Sequence, residues 1–264
     1  MLVDTHTHLY LDEFRPSWPE LIARAQEAGV GHFFLPNIDA SSCNQVKELH
    51  AAFPDCTYMM AGLHPCSVKD NYEQELSAIF EAFEGQKTYA IGEIGLDFYW
   101  DTTYQKAQEA AFRSQIRLAI ERDLPIAIHG RNAAERILAI LKEEKKSNLR
   151  GVFHCFGENE AMARAFIELD FYLGIGGVLT FKNSGLDKVI SKIDLKHLIL
   201  ETDSPYLAPV PKRGKRNESG FLPYVAAHLA KVKNTDLKEV ATTTTANAED
   251  LFNVKLAKKG KKLF

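Results

Sequence analysis

The sequence predicts an α/β protein built as one (β/α)8 TIM barrel. Three observations lead there. Short apolar runs alternate with stretches of helical periodicity along the whole chain, and eight strand signals can be counted. Gly and Pro punctuate the boundaries, but no linker divides the chain, so residues 1–264 read as a single domain. Several His, Glu and Asp residues fall at the C-terminal ends of the apolar runs, and in a parallel barrel those ends share one rim. An open doubly wound sheet would instead place a Gly-rich fingerprint after the first strand, where this chain has Thr5-His6-Thr7-His8.

The first strand is the short apolar start Leu2-Val3, opening into a loop at Asp4 to His8. Leu21, Ile22, Ala25 and Ala28 sit at helical spacing in the segment 19–28, with Gly29 as its stop. Val30 to Leu35 is a buried strand ending at Pro36-Asn37, and Ser41 is placed to cap a helix running through Phe53. A third strand, 57–63, closes at His64-Pro65, and a helix through Leu76, Ile79 and Phe83 follows. The fourth strand, 88–91, runs into Gly92-Glu93-Ile94-Gly95-Leu96-Asp97. A long helix over 103–122 shows Phe112, Ile116, Ala119 and Ile120 on one face.

Strand five (125–128) ends at His129, and Ala134, Ile137, Leu138 and Leu141 mark the next helix. Strand six (151–153) ends at His154 and leads to a helix over 161–169. Strand seven (171–175) runs into Gly176-Gly177, and a helix over 186–193 precedes strand eight (197–200), which ends in Glu201-Thr202-Asp203. A Pro-containing basic loop, 204–220, leads to two helices, 221–232 and 237–252. Residues 255–264 form a Lys-rich tail that is expected to solvate and fray.

Composition narrows the setting. A chain that is 45% hydrophobic and 25% charged is ordinary for a globular protein, and no apolar run nears the roughly 18 residues of a membrane helix. The chain enters its first strand without a basic leader, and Cys43, Cys56, Cys66 and Cys155 form no C-x-x-C pair, so a reduced cytoplasmic protein is expected. A formal net charge of -3 gives no global attraction to phosphate polymers, so a nucleic-acid substrate would need local positive charge or metal. No obligate protein partner is evident.

In an extended chain His6 and His8 point to the same side, which suits a divalent cation. Alone, such a pair is weak, because single histidines are usually hydrogen-bonded or surface groups. Glu93 at the fourth strand, His129 at the fifth, His154 at the sixth and Asp203 at the eighth turn the pair into a rim constellation. Each could separately be a satisfied buried residue or a helix cap, but together they are improbable coincidences. Four imidazoles and two carboxylates exceed one ion's needs and suit two ions roughly 3.5–4 Å apart, with one carboxylate bridging. Glu93 is the expected bridge. His6, His8, Glu93 and Asp203 are assigned to one ion, and Glu93, His129 and His154 to the other. Imidazoles favour bound Zn²⁺, while Mg²⁺ or Mn²⁺ would support activity.

Asp4-Thr5-His6-Thr7-His8-Leu9, Gly62-Leu63-His64-Pro65, Gly92 to Asp97, His154-Cys155-Phe156 and Glu201-Thr202-Asp203-Ser204-Pro205 together resemble the TatD family of metal-dependent deoxyribonucleases. The likeness extends to Asn247 and Leu251-Phe252. It implies a TIM barrel, divalent ions, and phosphodiester hydrolysis of DNA as a 3′→5′ exonuclease acting on single strands or 3′ ends. The chain departs from the family's usual pattern at Cys66, at Gly130 between His129 and Arg131, and at Ser219 after Arg216-Asn217-Glu218. None of these removes a proposed ligand.

Such chemistry sets roles for other residues. Asp203 can accept a proton from the attacking water or serve as a ligand only. Glu93 is expected to act with it. His64, Arg131 and Arg216 are candidate substrate contacts, His64 alternatively completing a further metal site, with a structural bond, a helix-start charge and a solvated loop as their plainer readings. Glu201 is read as a supporting residue behind a ligand, Asp97 as either such a support or simply a loop cap, and Asp4 as a buried neighbour that orients a ligand. Lys212, Arg213, Lys215 and Arg216 can funnel a phosphate backbone, and Phe98-Tyr99-Trp100 can stack bases or pack over the barrel mouth. Cys155 is expected to face away from the site as a small buried hydrophobe.

Two other functions share these features. A small-molecule amidohydrolase or phosphotriesterase-like enzyme would use the same rim, often with a carboxylated lysine as bridge, and no Lys ends a strand here. A non-enzymatic metal-stabilised interaction protein would have a closed coordination shell.

Overall fold

Strand alternation sorts the apolar residues into two cores, and their geometry puts the polar rim in place. In the computed structural model, which describes residues 1–257, eight parallel strands alternate with helices. The chain runs β1 (Leu2–Asp4), α1 (Trp18–Glu27), β2 (Val30–Pro36), α2 (Cys43–Ala52), β3 (Thr57–Ala61), α3 (Tyr72–Ala82), β4 (Ala90–Asp97) and α4 (Gln105–Arg122). It continues through β5 (Ile126–Arg131), α5 (Ala134–Glu144), β6 (Gly151–Phe153), α6 (Glu160–Ile167), β7 (Phe171–Ile175), α7 (Leu186–Ile190), β8 (Leu198–Leu200), α8 (Leu222–Lys233) and α9 (Leu237–Leu251). The strands pair in sequence order. The Thr5 N–H donates to Leu200 O (3.0 Å) and the Asp203 N–H to His6 O (2.9 Å), bringing β8 round to β1 and the barrel nearly to closure.

The larger core lies between the strands and the surrounding helices. The smaller one draws Val3, Phe34, Met60, Ala90, Ala127, Val152 and Ile199 from every strand but β7, so it fills the lumen. Leu251, Phe252 and Leu256 cap it from below, and Phe34 stacks between Tyr58 and Phe252 with ring centroids 4.6 and 4.1 Å away. The start of the expected loose tail is therefore docked: Ala257 O meets His32 Nε2 at 2.7 Å and the Leu256 N–H donates to Glu249. Lys258, Lys259, Lys261 and Lys262 lie outside the described residues.

The inner face also sets the rim. Two residues beyond Ala127 comes His129, two beyond Val152 comes His154, and Ile199 is followed at the same spacing by Glu201 and Asp203. β4 differs. Ile91 pairs with Ile126 but Ile94 with Ile128, so β4 carries one extra residue there. Such a bulge re-aims the side chains beyond it, which brings Glu93 inward after Ala90. β4 is also longer than its apolar run suggested, because Gly95 pairs flush against β5: a Cβ there would sit 2.0 Å from His129 O, and its φ is +141°.

Polar residues without periodic signature tie the strand ends together. Gln108 and Gln115, both buried on α4, bond the backbone of Asp97 and Leu63. The buried Asn37 side chain donates to Gly62 O (2.9 Å), and the Asn37 backbone carbonyl accepts from the Glu93 N–H (3.0 Å). Before α2 the capping residue is Asp39, whose carboxylate accepts from the Ser42 N–H and the Ser41 hydroxyl; Ser41, the expected cap, is one of its donors.

Candidate metal centre

At the C-terminal mouth, residues in or just beyond β1, β4, β5, β6 and β8 converge around Glu93 in a cavity of about 670 Å³, within the range of small-ligand sites. Glu93 Oε2 lies 3.1 Å from His6 Nε2 and 3.5 Å from His8 Nε2. Glu93 Oε1 lies 3.0 Å from His129 Nδ1 and 3.4 Å from both His154 Nε2 and His64 Nε2. Asp203 Oδ1 stands 3.5 Å from His8 Nε2 and 3.9 Å from His6 Nε2. The six expected residues thus meet, and His64 joins them. Among the described residues, three sets of donor atoms lie within 4.8 Å of one another: His6–His8–Asp203, His6–Glu93–His154 and His64–Glu93–His129.

Four of the five histidines have a partner that sets which nitrogen faces the centre. Tyr10 donates its hydroxyl to Pro36 O (2.6 Å), so it accepts from His8 Nδ1–H (2.7 Å) and leaves Nε2 facing the centre. Glu201 Oε1 takes His154 Nδ1 (3.1 Å) and Asp97 Oδ2 takes His129 Nε2 (2.9 Å). His64 differs: its Nδ1 accepts from the Cys66 N–H at 3.1 Å, so its neutral ring carries the proton on Nε2. Asp4 accepts from the Thr202 N–H (2.9 Å) and hydroxyl (2.6 Å) and so fixes the residue before Asp203.

The donor chemistry fits divalent cations. His6 and His154 stack in parallel with centroids 3.7 Å apart, and protonating both would set like charges face to face. His6 Nδ1 and Glu201 Oε2 are buried without a hydrogen-bond partner. Burial would raise Glu93, but the imidazoles of His6, His64 and His154 and a bond from His129 hold it well below the usual carboxylate range. Burial would likewise raise Asp203, but His8 and the other imidazoles hold it low. Burial lowers His8 and His154, yet the surrounding carboxylates raise them to about 9 and about 10. For Asp4 burial wins over its hydrogen bonds and pushes it up to about 7.

Arg131 lines the cavity beside His129 and packs its guanidinium over Tyr99, 3.8 Å from the ring centroid. Arg216 does not line it. That guanidinium donates to Glu13 O (2.7 Å) and lies over Phe14. Its neighbours are also stitches, since the Asn217 amide donates to Thr202 O and Tyr206 O and Glu218 pairs with Arg24 of α1. Among the described residues Lys212, Arg213 and Lys215 form no ion pair; Lys212 and Arg213 pack on Tyr224 and Phe181. Cys155 contradicts its expected orientation. β6 ends at Phe153, so alternation stops, and with φ at +48° Cys155 turns to line the cavity.

Sequence reasoning missed Tyr10, Asn37 and Asn217. Only Tyr10 had a usable signal, an acceptor two residues beyond a ligand-like histidine.

A barrel of this topology carrying this donor set defines a metal-dependent hydrolase. The chain belongs to the TatD family: the TatD related DNase profile matches residues 3–253. It is 39% identical over 255 residues to the uncharacterized metal-dependent hydrolase YabD of Bacillus subtilis, covering 96% of this chain and 100% of that protein. It is 32% identical to the 3'-5' ssDNA/RNA exonuclease TatD of Citrobacter rodentium, covering 97% and 99%. The crystal structure of YJJV, a TatD homolog from Escherichia coli, superposes with a TM-score of 0.91 at 30% identity, covering 96% of this chain and 98% of that one. No helix among the described residues is long and apolar enough to cross a membrane.

Proposed function

We propose that this chain hydrolyses phosphodiester bonds of DNA, as a 3′→5′ exonuclease on single strands or 3′ ends, with two divalent ions. The carrying observation is the division of Glu93, whose Oε2 faces His6 and His8 while Oε1 faces His129 and His154. His6, His8, Glu93 and Asp203 would hold one ion, and Glu93, His129 and His154 the other. Mg²⁺ or Mn²⁺ would serve activity, and Zn²⁺ suits the imidazoles as a bound ion. When bound, such ions supply positive charge for the phosphoryl oxygens and acidify water.

The chain's own residues supply the rest. Asp203, held ionised and open to the cavity, accepts the proton of the attacking water. Arg131 forms no ion pair among the described residues and is available to clamp a phosphate. His64, with its proton on Nε2, is a hydrogen-bond donor to a phosphoryl oxygen. The exonuclease named among the relatives supports a nucleic-acid substrate.

The test is degradation of end-labelled single-stranded DNA with Mg²⁺ or Mn²⁺, which should shorten the strand from its 3′ end and stop with EDTA. Intact DNA beside rapid turnover of an amide or lactone would overturn the nuclease reading in favour of a small-molecule hydrolase. Glu93→Ala should lose bound metal and activity together; full activity in it would remove the bridging role.

A further inference from the structure

Two large aromatic rings stand bare at the mouth of the cavity, and the chemistry above uses neither. Trp100 is 69% exposed and Tyr206 53%, yet both line the cavity. They belong to the loops after β4 and β8, four strands apart in the eight-stranded order and so on opposite lips of the barrel. Packing over the mouth does not account for Trp100, because a ring packed there would be covered.

Each ring is one residue contact away from the metal centre. Asp97 Oδ1 accepts from the Tyr99 and Trp100 N–H groups at 2.9 and 3.1 Å, while its Oδ2 meets His129 Nε2. Tyr99 stands edge-on to Trp100, and the Arg131 guanidinium lies 5.1 Å from the Trp100 ring, bracing it from beside the cavity. On the other lip the Tyr206 N–H donates to Asp203 O at 2.8 Å, and its ring stands 6.3 Å from that of His8. The backbone from which each ring projects is therefore tied to a residue of the donor cluster or to its immediate support.

We infer that Trp100 and Tyr206 are opposed stacking surfaces for unpaired nucleobases, and that they select single-stranded over duplex ends. The inference rests on the nucleic-acid reading above. At a duplex end the terminal base is paired along its edge and stacked on its inner neighbour, so it can engage both opposed rings only after unpairing and unstacking. Stacking reads the face common to all bases, so the selection carries little base preference.

The experiment compares the metal-loaded wild type with Trp100→Ala, Trp100→Phe and Tyr206→Ala on three end-labelled probes: a single strand, a blunt duplex and an abasic single strand. Metal content by elemental analysis shows that each variant keeps its centre. Each alanine variant should raise KM for the single strand about tenfold, as loss of one stacked base implies. Its kcat and its KM for the abasic strand should be unchanged, and its preference for the single strand over duplex should fall. Trp100→Phe should restore KM. The chain's other tryptophan, Trp18, is tied to Leu9 O, so rapid-mixing quenching by oligothymidylate should appear in the wild type and vanish in Trp100→Leu. Wild-type DNA degradation with unchanged KM in both alanine variants would overturn the inference and leave the nuclease reading standing. An equal rise on the abasic strand would overturn it too, since the rings would then act on shape alone. A wild type that degrades no DNA would sink the nuclease reading, and the inference with it.

Discussion

Glu201 grips the back of His154: its Oε1 lies 3.1 Å from His154 Nδ1 and 2.5 Å from the Cys155 amide nitrogen, leaving His154 Nε2 to face Glu93. A carboxylate in that position fixes the ring and makes its free nitrogen more basic. Glu201→Gln keeps the size and removes the charge. It should weaken metal binding about 10- to 100-fold, read by chelator competition, with little change in melting temperature. An affinity equal to wild type would show that the carboxylate only fills space.

Gly174 makes room for that carboxylate. A Cβ at this position would lie 2.3 Å from Glu201 Oε2, well inside contact distance. Gly174→Ala should therefore cost about 1–3 kcal/mol in denaturant unfolding and weaken metal binding as well, by displacing Glu201. Lost stability with unchanged metal affinity would separate the two residues.

Metal uptake should release protons. In the metal-free protein His8 and His154 titrate at about 9 and about 10, so both hold an extra proton at neutral pH. A ligating imidazole must be neutral. The sign follows: binding expels protons below those values, so affinity rises with pH through the neutral range. Calorimetry in buffers of different ionisation enthalpy should report a net release at about pH 7. No dependence on buffer would show that both rings are already neutral.

Phe34 tests the opposite end of the barrel. It is fully buried between Tyr58 and Phe252 in the lumen floor. Phe34→Ala should cost about 3–5 kcal/mol, read as a lower denaturation midpoint. The folded fraction should keep its metal affinity, because the donors sit at the other mouth. Coupled loss of both would show that floor and rim form one unit.

The alternation of strands and helices was readable because burial on both faces leaves apolar runs that Gly and Pro delimit. Glu93, His129, His154 and Asp203 were readable because each follows such a run. Asn37, Gln108, Gln115 and Asn217 were not, since each bonds backbone groups outside its own element, and a polar side chain leaves no periodic trace of its partner. Arg216 looked like a phosphate contact by charge, but its reach to Glu13 depends on how the loop folds back over β1 and α1. Cys155 was misplaced because alternation holds only while the strand lasts.

The seam between Thr5 and Leu200 joins groups 195 residues apart in the chain. During synthesis the donors just after β1 emerge first of the cluster and the carboxylates after β8 last of it. A nascent chain therefore carries His6 and His8 long before Glu201 and Asp203 can complete their surroundings. Assembly of the six donors must wait until the barrel comes round on itself, so a chain that stops before the loop after β8 lacks part of the cluster.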